Sequence, residues 1–69
     1  MSALLEARKQ GLADLRGALN IVQGRLDAYD ESSVPLHDDT AAWITHLSIT
    51  RQTLHELIRK QEALVSAAE

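Results

Sequence analysis

The chain has 69 residues, ten Asp+Glu against seven Lys+Arg for a formal charge of -3, and no cysteine. A disulfide scaffold is excluded, and so is a membrane helix of ~20 apolar residues, because the longest strictly apolar run is Ala41-Ala42-Trp43-Ile44. Ten of the apolar residues are alanine and the only aromatics are Tyr29 and Trp43, so roughly twenty large side chains must build the core of one small domain, residues 1–69, which is marginal for a monomer.

In the first segment Leu5, Leu12, Leu19 and Leu26 recur every seven residues, and Arg8, Leu15, Val22 and Tyr29 stand three further on. These are a and d sites of four heptads with one charged exception. Ser2 is the expected N-cap, and Asp30-Glu31-Ser32-Ser33-Val34-Pro35 supplies residues that prefer turns, with Pro35 unable to donate to a continuing helix. The pattern predicts a helix over 3–29.

After His37-Asp38-Asp39-Thr40, whose aspartates suit a helix start, the apolar period resumes and predicts a second helix over 40–67. Its a sites include Leu47, Leu54 and Gln61; its d sites are Trp43, Thr50, Leu57 and Leu64; Ile44, Arg51, Ile58 and Val65 fill e. Three sites per heptad make a stripe wide enough to touch two neighbours. An antiparallel hairpin whose facing residues sum to about 69 layers Leu26 with Trp43, Leu19 with Thr50, Leu15 with Leu54, Leu12 with Leu57, Arg8 with Gln61 and Leu5 with Leu64. The expected architecture is all-α, a hairpin that hides its remaining apolar sites by pairing as a two-fold, homodimeric four-helix bundle. Its dimer and core residues are Leu5, Leu12, Leu15, Leu19, Val22, Leu26, Leu47, Leu54, Leu57, Ile58 and Leu64.

Gly11, Gly17 and Gly24 interrupt the leucine heptads, each ~1 kcal/mol less favourable than alanine in a helix. Gly17 and Gly24 fall on the face away from the hairpin contact, beside Ala13 and Asn20, with Ile21 as apolar neighbour. The plain explanation is a local defect tolerated by packing. The functional one is a flat strip on which another backbone docks.

No catalytic or ligand motif emerges. His37, His46 and His55 are spaced by nine residues, which puts successive helical histidines on opposite sides, so neither metal nor other cofactor is expected. No serine sits in a Gly-flanked elbow and no cysteine exists, so an enzyme is not expected. The seven basic residues form no cluster and carry no interleaved aromatics, which argues against direct nucleic-acid binding.

Charge is segregated along the chain. Between Leu26 and Thr50 there is no Lys or Arg, yet Asp27, Asp30, Glu31, Asp38 and Asp39 all lie there, with Tyr29, Trp43, Val34 and Leu36 among them. Asp30 and Glu31 stand at the negative end of the first helix, where the dipole disfavours them. Acids around apolar anchors suit a basic partner, because charge steers encounter and buried aromatics supply affinity. The plain alternative is a solvated acidic turn with Trp43 capping the bundle.

Length, hairpin layout, absence of cysteine and the acidic segment Asp27 to Asp39 make the chain resemble the small phage-encoded anti-activators that bind LuxR-type quorum-sensing regulators at their DNA-binding domain. That resemblance implies a homodimer that binds a host transcription factor, and the lack of a long apolar run and of a basic-then-apolar N-terminal pattern makes a soluble cytoplasmic protein the expectation. In architecture alone the bundle also resembles plasmid-encoded ROP-type regulators of RNA pairing, without a matching set of RNA-contacting side chains. The expected function is therefore regulatory protein binding, through Asp27, Tyr29, Asp30, Glu31, Val34, Leu36 and Trp43 or through the strip of Gly17, Ile21 and Gly24. The rivals are a structural assembly module and an RNA-binding dimer.

Overall fold

Helix starts are decided by which groups satisfy the first free N–H donors, and Ser2 does so here: its hydroxyl accepts the Leu5 N–H at 3.3 Å and its carbonyl accepts the Glu6 N–H at 3.2 Å. The computed structural model describes residues 2–30 and 38–69. They form two helices, α1 (Ala3–Asp30) and α2 (Asp38–Ala68), which pack against each other as a hairpin with overall extents of 53 × 15 × 14 Å. The second helix begins two residues earlier than expected. Asp38 and Asp39 thus belong to its first turn, where acidic residues oppose the helix dipole, instead of preceding it. Glu31, Val34 and Leu36 lie outside the described residues, as do the side chains of Asp30 and Asp38. None of the helices described is long and apolar enough to cross a membrane.

The inward face of α1 is the expected one. Leu12, Val22 and Leu26 are buried, and Leu5, Leu15, Leu19 and Tyr29 pack around them. The inward face of α2 is rotated from expectation. Leu12 clusters with Ile58 and Val65, and Val22 and Leu26 cluster with Leu47, flanked by Ile44 and Leu54. Leu57 and Leu64, expected opposite Leu12 and Leu5, are instead 42% and 46% exposed, and Trp43, expected opposite Leu26, is 41% exposed.

The reason lies in two overlapping stripes that share Leu47, Leu54 and Gln61. One adds Trp43, Thr50, Leu57 and Leu64; the other adds Ile44, Arg51, Ile58 and Val65. Burying the first would enclose the short Thr50 side chain, whose hydroxyl donates to the His46 carbonyl at 2.9 Å. The second contains Arg51, whose long stem covers apolar surface while its guanidinium reaches the edge and donates to Gln23 Oε1 at 3.3 Å. Turning the second stripe inward leaves e sites inside and d sites outside, the reverse of what a simple a/d hairpin would do.

The layer of Arg8 and Gln61 does form, with a different partner atom. Gln61 Nε2 donates at 2.9 Å to the backbone carbonyl of Arg8, not to its side chain. Gly11 eases that contact, because a Cβ there would stand 3.3 Å from the same amide nitrogen and the amide would have to give way by a few tenths of an ångström. A Cβ at Gly17 or Gly24 would meet nothing within 4 Å. Gly17→Ala and Gly24→Ala are accordingly expected to stabilise the fold by about 1 kcal/mol each, raising the melting temperature by about 4–8 °C. Gly11→Ala should gain clearly less, since the amide must yield. Equal gains at all three positions in thermal melts would show that Gly11 has no part in holding Gln61.

Candidate functional site

The two long edges of the hairpin differ in chemistry. Along one edge Lys9 pairs with Glu69 at 3.7 Å and Arg16 with Glu62 at 3.2 Å, both pairs half exposed. Arg51 bonds Gln23 there, and Gln23 Nε2 donates at 2.9 Å to Asp27 Oδ1, so a short polar chain runs from α2 to the acidic end of α1. Exposed ion pairs contribute only about 0.2–1 kcal/mol each. They fix which edge is polar more than they hold the fold.

Stepping 100° per residue from those bonded positions puts Leu4, Gly11, Ala18 and Arg25 of α1 and Trp43, Thr50, Leu57 and Leu64 of α2 on the opposite edge. This edge is apolar and open: Leu4 is 59% exposed, and Leu57, Leu64 and Trp43 are each uncovered by about two fifths or more. Its middle is shallow, because Gly11, Ala18 and Thr50 are small. No large side chain among the described residues is completely buried.

At the end where the acids gather, Asp27 and Asp39 are exposed and Tyr29 is half-buried against the Val22–Leu26–Leu47 cluster. Trp43 stacks on His46 with ring centroids 5.2 Å apart and planes 28° from parallel. The turn of α1 nearest this end holds no basic residue. The geometry therefore brings Asp27, Tyr29, Asp39 and Trp43 to one end of the rod, on the ends of two rigid helices.

The glycine strip is placed as the sequence indicates. Gly17 and Gly24 face open space and Ile21 is 60% exposed. Gly24 stands three residues from Asp27 on the same exposed face of α1, so the strip runs into the acidic end. A shallow, open depression of about 820 Å³ runs along α2, lined among others by Ile44, Arg51, His55 and Arg59. All of its lining comes from one helix, so no second element supplies groups that converge on a ligand. Among the described residues no three His, Asp or Glu side chains come together as metal ligands.

Two features escaped the sequence: the Gly11–Gln61 contact and the inward turn of Val65. The first had a signal, since Gln61 is a polar residue in an apolar stripe opposite a glycine. The second had none, because Leu64 and Val65 fit equally periodic stripes.

No family model matches the sequence, and no curated protein or solved structure matches the chain.

Proposed function

We propose that this hairpin is a non-enzymatic regulator that works as a homodimer, a four-helix bundle, and acts by binding another protein. The partner is basic: a DNA-binding transcription regulator whose DNA-reading surface the hairpin occupies, as the resemblance to phage anti-activators of LuxR-type regulators implies. One observation carries this reading. All acids between Leu26 and Thr50 gather where the chain has no Lys or Arg, and exposed Asp27 and Asp39 flank the half-exposed Tyr29 and Trp43. A groove built to attract phosphates attracts carboxylates by the same Coulomb force, and aromatic side chains add contact energy that salt does not screen. DNA is then displaced by competition, without contact between the hairpin and nucleic acid.

Titration against an isolated LuxR-type DNA-binding domain at low and high salt tests it. Affinity is expected to fall about tenfold or more as ionic strength rises from roughly 0.05 to roughly 0.3 M. The open apolar edge favours a second reading, an assembly module that docks on a larger helical protein; salt-independent binding to such a protein, with none to the DNA-binding domain, would establish that one.

A further inference from the structure

We propose that the apolar edge formed by Leu4, Gly11, Ala18, Thr50, Leu57 and Leu64 is the surface on which a second copy of this chain docks, inverted end for end. The inference rests on the homodimer proposed above and adds the face and orientation of pairing. It departs from the heptad pattern, which assigned the outward-facing role to the e sites; those are the sites turned inward.

Area argues for a large partner. The chain exposes 5202 Å², whereas a compact monomer of 7.6 kDa is expected to expose only ~4300 Å². The excess, ~900 Å², is close to the ~800 Å² that each partner contributes to a standard stable interface. The polar edge is ill suited to covering it, because its charges already pair within the chain. The apolar edge has the exposed leucines and only Arg25 as a charged member.

Charge selects the orientation. Pairing two upright hairpins would place both acidic ends together, ten carboxylates against no Lys or Arg between Leu26 and Thr50 of either copy. Inversion puts those ends at opposite poles of the bundle. It also sets α1 against α1 and α2 against α2 across the two-fold axis, with facing residues of α2 summing to about 107 when the rods overlap fully. Leu57 then meets Thr50 of the second copy, and Trp43 meets Leu64. On α1, the contact of Gly11 with Gln61 sets a register that places Ala18 near the two-fold axis, against its own copy, where a small residue lets two backbones approach. Trp43 becomes the last contact of the self-interface and borders the acidic end.

The chain has no cysteine, so introduced pairs report directly. In a Thr50→Cys/Leu57→Cys variant the two thiols lie two helical turns apart, about 10 Å, too far to bridge within one chain. Mild oxidation is expected to give a covalent dimer held by two symmetric disulfides. A Thr45→Cys/Gln52→Cys variant, with the same spacing on the outer face of α2, is expected to stay monomeric on denaturing gels. Leu57→Glu should weaken dimerisation by about a hundredfold or more in sedimentation equilibrium, and Ile49→Glu should leave it unchanged. A native chain that sediments as a monomer overturns the proposal. So does one that dimerises but cross-links only in the Thr45→Cys/Gln52→Cys variant, or in neither variant. Partner affinity is read on the same proteins: its loss with the inverted dimer intact would strike the regulatory reading and leave this one standing.

Discussion

Leu47→Glu is expected to unfold the hairpin. Leu47 is the most buried side chain described, 4% exposed, at the centre of the cluster with Val22 and Leu26. A carboxylate there loses its hydration, and the one cation within reach, Arg51 one turn on, would have to leave its place at the edge beside Gln23 to meet it. Removing the leucine alone costs about 2–5 kcal/mol, and burying an unpaired charge adds several more. A domain of this size has only about 3–10 kcal/mol in total. Helicity by circular dichroism and mass by sedimentation should therefore be lost together. A Leu47→Glu chain as helical and thermally stable as the parent would show that α2 packs through another face. Leu19→Glu and Leu54→Glu, at half-buried positions of the two clusters, should act in the same direction with smaller effect.

The second large effect is on binding and leaves the fold alone. Replacing both Asp30 and Glu31 by lysine changes the charge by +2 at each residue, +4 per chain and +8 per dimer. Asp30 ends α1 and no basic residue stands in its last turn, so lysine there favours the dipole and should stabilise the helix by a few tenths of a kcal/mol. If the acidic end docks on a basic surface, the same change turns attraction into repulsion, and affinity for a DNA-binding domain should fall by more than about tenfold at low salt. Asp38 and Asp39 are poorer choices because they occupy the first turn of α2, and their loss would fray that helix. Melting temperature and affinity must be measured on the same double variant. One that folds normally and binds as tightly as the parent removes the electrostatic case for an inhibitor of a DNA-binding protein.

The glycines show how a local sequence conflict can have two causes. At Gly17 and Gly24 no atom lies near enough to object to a side chain, so packing gives no reason for glycine. At Gly11 a side chain would crowd the Gln61 amide that bonds the Arg8 carbonyl. Propensity alone assigns all three the same penalty; only the neighbour across the hairpin separates them.

From the sequence alone came two helices, their ends to within two residues, the inward face of α1, and the placing of Asp27 and Asp39 towards one end. Each of these depends on local sequence: cap residues, a proline between the two apolar runs, and a seven-residue apolar period with a single solution on the first helix. The inward face of α2 could not be had that way. Its stripe admits two three-and-four alternations through Leu47, Leu54 and Gln61, equal in period and nearly equal in apolar content. Tertiary packing chose between them: α1 meets the stripe of Arg51, whose guanidinium reaches Gln23 at the edge, while Thr50 lies outside it with its hydroxyl on the His46 carbonyl. That choice turned Leu57, Leu64 and Trp43 outward, and so decided which edge of the protein is left apolar and open.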